Sequence, residues 1–79
     1  MVENWKEEKG FLSRSFEFND FQEAFTFMTR VAFIAEQLNH HPNWKNSYNQ
    51  VSIHLTTHDA GNEVTHKDYE LANAINQIV

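Results

Sequence analysis

Hydrophobic residues recur along this chain with two different periods. Within residues 11–18, Leu12, Phe16 and Phe18 share one parity, the alternation expected of a strand with one covered face. Arg14 interrupts that face, and Ser13, Ser15 and Glu17 occupy the opposite one. With residues 3–8 as a second arm and Lys9-Gly10 as the turn, the stretch predicts a hairpin. The period then lengthens. Asn19 or Asp20 can cap a helix, after which Phe21, Ala24, Phe25, Met28, Val31, Ala32, Ala35 and Leu38 follow one helical face. Phe27 and Ile34 widen that stripe. Phe33 falls on the other side among Gln22, Thr26, Thr29 and Gln37, either as a single exposed aromatic or as a subunit contact.

Pro42 disfavours helical geometry at His41, so the helix is expected to stop near Asn39. Trp44, Asn46 and Tyr48 suggest a third strand, with Asn49-Gln50 as the turn after it. Val51, Ile53 and Leu55 alternate with Ser52, His54 and Thr56, a half-buried strand. Residues 58–63 form a loop containing Gly61. Thr65 followed by Asp68 resembles a capping box, with Asp in place of the usual Glu or Gln, and opens a helix that buries Tyr69, Leu71, Ala72, Ile75 and Ile78. The order β-β-α-β-β-α predicts an α+β fold: a four-stranded antiparallel sheet with two helices packed on one face. Its 79 residues make one domain, 1–79, whose small core would gain from association with another copy.

Charge narrows the partners. The net charge is −5, and Lys6, Lys9, Arg14, Arg30, Lys45 and Lys67 are scattered. A phosphate backbone needs concentrated positive charge, so nucleic acid is not an expected partner. No apolar run approaches the roughly 20 residues of a membrane span. The start of the chain is polar and acidic, unlike a secretory signal, and cysteine is absent, so the expected compartment is the cytoplasm.

The chemistry on offer is imidazole. Five histidines stand in this short chain, and His is the side chain that titrates near neutral pH. His40 and His41 lie just past a helix end on backbone stiffened by Pro42, so their rings point in different directions and can flank a ligand. Glu36, one turn earlier, is placed to orient His40 if the helix reaches that far. His58 ends a strand where a loop begins, and Trp44 offers a flat apolar surface close by in sequence. Such a set suits proton transfer on a flat heterocycle, one imidazole protonating a leaving hydroxyl while another accepts a ring N–H proton. The spacing by itself also fits an ordinary turn with surface histidines. His54 reads as a sheet-face residue and His66 as a solvated helix start. No H-E-x-x-H or cysteine pair points to a metal, so no metal or cofactor is expected.

The run Glu36-Gln-Leu-Asn-His40-His41-Pro42-Asn-Trp44, then Tyr48, Val51-Ser-Ile53-His-Leu55-Thr-Thr57-His58, Gly61 and Asp68, resembles the signature of the pterin-4a-carbinolamine dehydratases. Trp5, Gly10, Leu12, Arg14, Phe16, Phe18, Phe21, Ala24 and Phe25 extend the resemblance over nearly the whole chain. It implies dehydration of 4a-hydroxytetrahydrobiopterin-like substrates to quinonoid dihydropterin, in recycling of the tetrahydrobiopterin used by aromatic amino-acid hydroxylases. It implies His40, His41 and His58 as catalytic residues, without saying which is acid and which base. It implies Glu36, Trp44 and Asp68 as residues lining or supporting the pterin site, and a homodimer or homotetramer. Two other roles come with the family: a protein-binding dimerisation module, as in animal relatives, and an accessory part in molybdopterin metabolism. Family members commonly carry a helix before the Trp5 position, which this sequence starts too late to hold, and the stretch from His58 to Asp68 is slightly longer than the common form.

Overall fold

The computed structural model of the chain describes residues 2–79. Its elements follow the expected order: β1 (Lys6–Glu8), β2 (Phe11–Glu17), α1 (Phe21–Leu38), β3 (Asn43–Ser47), β4 (Gln50–Leu55) and α2 (His66–Asn76), with a 3₁₀ turn at His58–Ala60. The sheet is antiparallel throughout, in the order β1-β2-β4-β3. Leu12 and Phe16 of β2, with Val51, Ile53 and Leu55 of β4, form its covered face. Ala24, Phe27, Val31 and Ala35 of α1 and Leu71, Ala72 and Ile75 of α2 join the same core, so both helices lie on one side. The opposite face, with Ser13, Ser15, Ser52, His54 and Thr56, carries no helix.

Arg14 points to the covered side yet is satisfied there. Its guanidinium lies 4.5 Å over the Phe16 ring and donates to Asn76 Oδ1 at 2.6 Å. The same oxygen accepts from Trp5 Nε1 at 2.8 Å, which ties the N-terminal segment to the end of α2. The β1–β2 turn uses Lys9 (φ 55°) and Gly10 (φ 80°), the left-handed pair that matches the twist of a two-residue hairpin. Gly10 is also required sterically, because a Cβ there would stand 2.4 Å from the Asn62 carbonyl oxygen.

The structure departs from the hydrophobic pattern in three places. The buried face of α1 is centred on Ala24, Phe27, Val31 and Ala35, and Phe21, Phe25 and Ala32 are exposed along with Phe33. Apolar residues cover so much of this helix that periodicity alone cannot select the side the sheet will take. β3 ends at Ser47, and the turn is Tyr48-Asn49 rather than Asn49-Gln50. Asn49 is occupied elsewhere: its Nδ2 donates to the Phe18 carbonyl and its own carbonyl accepts from Phe18 N–H, so Tyr48 takes the left-handed position at φ 52°. The first hairpin arm is three residues long, and Asn4 at φ 71° precedes it.

Candidate active site

The end of α1 sends its two adjacent histidines apart. Asn39 adopts the left-handed conformation (φ 53°, ψ 43°). Its N–H bonds the Glu36 carbonyl at 3.2 Å, and His40 N–H bonds the Ala35 carbonyl at 3.0 Å. These paired bonds are those of a Schellman turn, and Pro42 then prevents the helix from resuming. The reversal carries His40 across to α2 and leaves His41 beside its own helix.

His40 meets Asp68. Its Nε2 lies 2.6 Å from Asp68 Oδ1, and the Asp68 side chain is fully buried. Asp68 Oδ2 accepts from the Thr57 hydroxyl at 2.7 Å and from Thr65 N–H at 2.8 Å. The Thr57 hydroxyl has spent its one proton on Asp68, so the Thr65 hydroxyl donates to Thr57 Oγ1, 2.6 Å away. The capping box at Thr65 and Asp68 is therefore also the support of His40. A buried carboxylate is tolerable only when its lone pairs are met, and this one faces three donors.

His41 meets Glu36. Its Nε2 lies 2.9 Å from Glu36 Oε1, and both side chains are largely exposed, 59% and 80%. Glu36 thus orients His41 and not His40, a correction to the helical spacing, which holds only while the helix continues. In both rings Nε2 is engaged by a carboxylate, leaving Nδ1 without a protein partner among the described residues. His58 begins the 3₁₀ turn, exposed, directly after buried Thr57. That turn is held by a backbone bridge between Thr57 and Glu63.

His40, His41 and His58 line one cavity of about 290 Å³, with Thr56, Asp59 and Lys67. The strand-to-turn passage at Thr57-His58, the end of α1 and the start of α2 supply its walls. Lys67 was absent from the residues singled out in the sequence; its one signal was its place beside Asp68 in the first turn of α2. Trp44 lies elsewhere. It pairs with Ile53, packs against the core on the helix side, and lines a separate hollow of about 270 Å³ with Phe11, Asn43, Lys45 and His54. Proximity in sequence brought it near the histidines, but strand parity turned it away from their cavity. Among the described residues no group of three or more His, Asp or Glu side chains is arranged to hold a metal ion. Nor, among the described residues, is any helix long and apolar enough to cross a membrane.

A family model described as Pterin 4 alpha carbinolamine dehydratase matches residues 1–78. A protein of Synechococcus sp. (strain WH7803), provisionally named a pterin-4-alpha-carbinolamine dehydratase, is 53% identical over 75 residues, covering 95% of this chain and 80% of its own. A similarly named protein of Rhodospirillum rubrum is 57% identical over 68 residues, covering 86% of this chain and 70% of its own. Among solved structures, a transcriptional coactivator/pterin dehydratase from Brucella melitensis superposes with a TM-score of 0.88 at 43% identity, covering 98% of this chain and 83% of that one. With the fold and these likenesses in agreement, this chain belongs to the pterin-4a-carbinolamine dehydratase family.

Proposed function

We propose that this chain dehydrates 4a-hydroxytetrahydrobiopterin-type carbinolamines to quinonoid dihydropterins by histidine acid/base catalysis, in tetrahydrobiopterin recycling in the cytoplasm. The observation that carries the proposal is the convergence of His40, His41 and His58 on one cavity, with the two adjacent rings each oriented by a carboxylate. In the reaction the C4a–O bond breaks and the N5–H proton leaves, so a C4a=N5 double bond forms and water departs. His40 suits the base. A proton taken up at Nδ1 gives an imidazolium whose charge faces buried Asp68, while Nε2–H is already held by that carboxylate. We assign the proton for the departing hydroxyl to His58, which shares the cavity with His40; a normal rate in His58→Ala beside a slowed His41→Ala would move that role to His41. No covalent intermediate is needed.

The test is single-turnover dehydration of chemically generated carbinolamine. His40→Ala and His58→Ala should each slow it by about a hundred- to ten-thousand-fold, with circular dichroism unchanged. Normal rates in both variants reject the assignment. Glu36 and Asp68 serve here as positioning residues.

The working unit is proposed as a homodimer or homotetramer of this one domain. Phe21 and Phe25 stack at 5.7 Å on the exposed side of α1, and Phe33 is 70% exposed about two turns further along. Packed against a second copy, that face removes apolar area from water at about 25 cal/mol per Å². Phe33→Asp should lower the mass measured by light scattering; an unchanged mass rejects this face as the contact.

A further inference from the structure

Beyond the three histidines, the cleft continues across the sheet face that carries no helix. A second cavity, about 410 Å³, shares His41, Thr56 and His58 with the first and runs on to Phe11 and His54. His54 stands in the middle of that face, in register with Ser13 on β2 and Asn43 on β3. The Phe11 ring meets the His54 ring edge to face, with centroids 6.1 Å apart and planes at 86°. That contact fixes the imidazole plane while leaving its nitrogens without a protein partner among the described residues. The lining includes Asn43 and Asn62 but no Lys, Arg, Asp or Glu.

Taken with the dehydratase reading, on which the inference rests, this extension has a definite place in the substrate. The reacting atoms are C4a and N5, and C6 is bonded to N5. A substituent on C6 therefore leaves the ring beside the reacting edge and must pass His41 and His58 to go anywhere. We propose that the Phe11–His54 cavity binds the C6 side chain of the pterin, and that His54 is a specificity-determining residue hydrogen-bonding a side-chain hydroxyl. The chemistry of the lining selects the class: neutral, short and hydroxylated. An acidic substituent would find no cation in this cavity, and a purely alkyl one would leave the His54 nitrogens and the amides of Asn43 and Asn62 to be stripped of water without replacement.

The experiment is calorimetric titration of the full chain with two stable pterins, 7,8-dihydrobiopterin, which carries a dihydroxypropyl group, and 6-methyl-7,8-dihydropterin. Wild type should bind the dihydroxypropyl ligand at least about fivefold more tightly, the worth of one net hydrogen bond. His54→Ala should erase that preference, weakening the dihydroxypropyl ligand by about fivefold while the methyl ligand stays within twofold. His54→Gln, which keeps a hydrogen-bonding head, should retain part of the preference and controls for loss of packing. Ser52→Ala, one row away on the same face, should change neither affinity. Equal weakening of both ligands by His54→Ala, or no change in either, overturns the assignment while leaving the dehydratase reading intact. A wild type that binds neither pterin and dehydrates neither carbinolamine defeats both.

Discussion

His40 and His41 are neighbours in sequence, and each has its Nε2 against a carboxylate, yet the two pairs are physically different objects. The His40–Asp68 pair is sealed, with side-chain exposures of 11% and 0%, and its carboxylate is also the N3 residue of a capping box and the acceptor of a core threonine. The His41–Glu36 pair is open to solvent on both sides, with side-chain exposures of 59% and 80%. In the first, moving the imidazole strips a buried carboxylate oxygen of its partner. In the second, the imidazole is free to swing whenever water competes for Glu36. Geometry alone would rank the two alike at 2.6 and 2.9 Å; burial and connectivity separate them. The difference places a fixed imidazole on one side of the cavity and an adaptable one on the other.

The largest effect should come from Asp68→Ala. It leaves Thr65 N–H and the Thr57 hydroxyl without their acceptor, and urea unfolding should show a loss of about 3 kcal/mol. Asp68→Asn should preserve more of the fold yet slow dehydration by about a hundredfold, because a neutral amide no longer faces the charge forming on His40. Thr57→Val tests the network one step out. Losing one donor to the buried carboxylate should cost about 1–2 kcal/mol, and the rate should fall with it if Thr57 helps to hold Asp68 in place. Glu36→Ala should leave the unfolding midpoint within about 0.5 kcal/mol of wild type, and any effect on rate should fade with added salt. A Glu36 variant as damaged as Asp68→Ala would erase the distinction drawn between the pairs.

A third carboxylate pair sharpens the scale at its weak end. The Tyr69 hydroxyl donates to Glu7 across the β1–α2 seam. The hydrogen bond to Glu7 holds the Tyr69 phenol above its usual value of 10.0, with burial and the negative charges of Glu7 and Asp68 adding to it. The neutral phenol is the bonded form, so the contribution to stability is present below pH 10 and is lost as pH rises through the raised value. Ultraviolet titration should show one tyrosine ionising late in wild type and returning toward 10.0 in Glu7→Ala. Identical titrations in the two proteins would remove this pair from the comparison.

Much of this molecule was legible in its residues. The alternation at Val51, Ile53 and Leu55, the helical spacing from Ala24 to Leu38 and the Thr65/Asp68 cap are local patterns, and local physics made them. The histidine motif was legible too, because a proline after two histidines and a threonine-histidine at a strand end are features of the chain itself. What no local pattern contains is which surfaces meet. Docking against the sheet decided that α1 buries Phe27 and exposes Phe25. The turn at Asn39 gave Glu36 to His41 and took His40 across 28 residues to Asp68. Strand register set Trp44 on the core side and His54 on the open side, beside Phe11. Periodicity specifies the elements because each residue's neighbours along the chain fix its direction. Partners far apart in sequence are chosen only when burial, hydrogen-bond satisfaction and sheet register are met together in three dimensions.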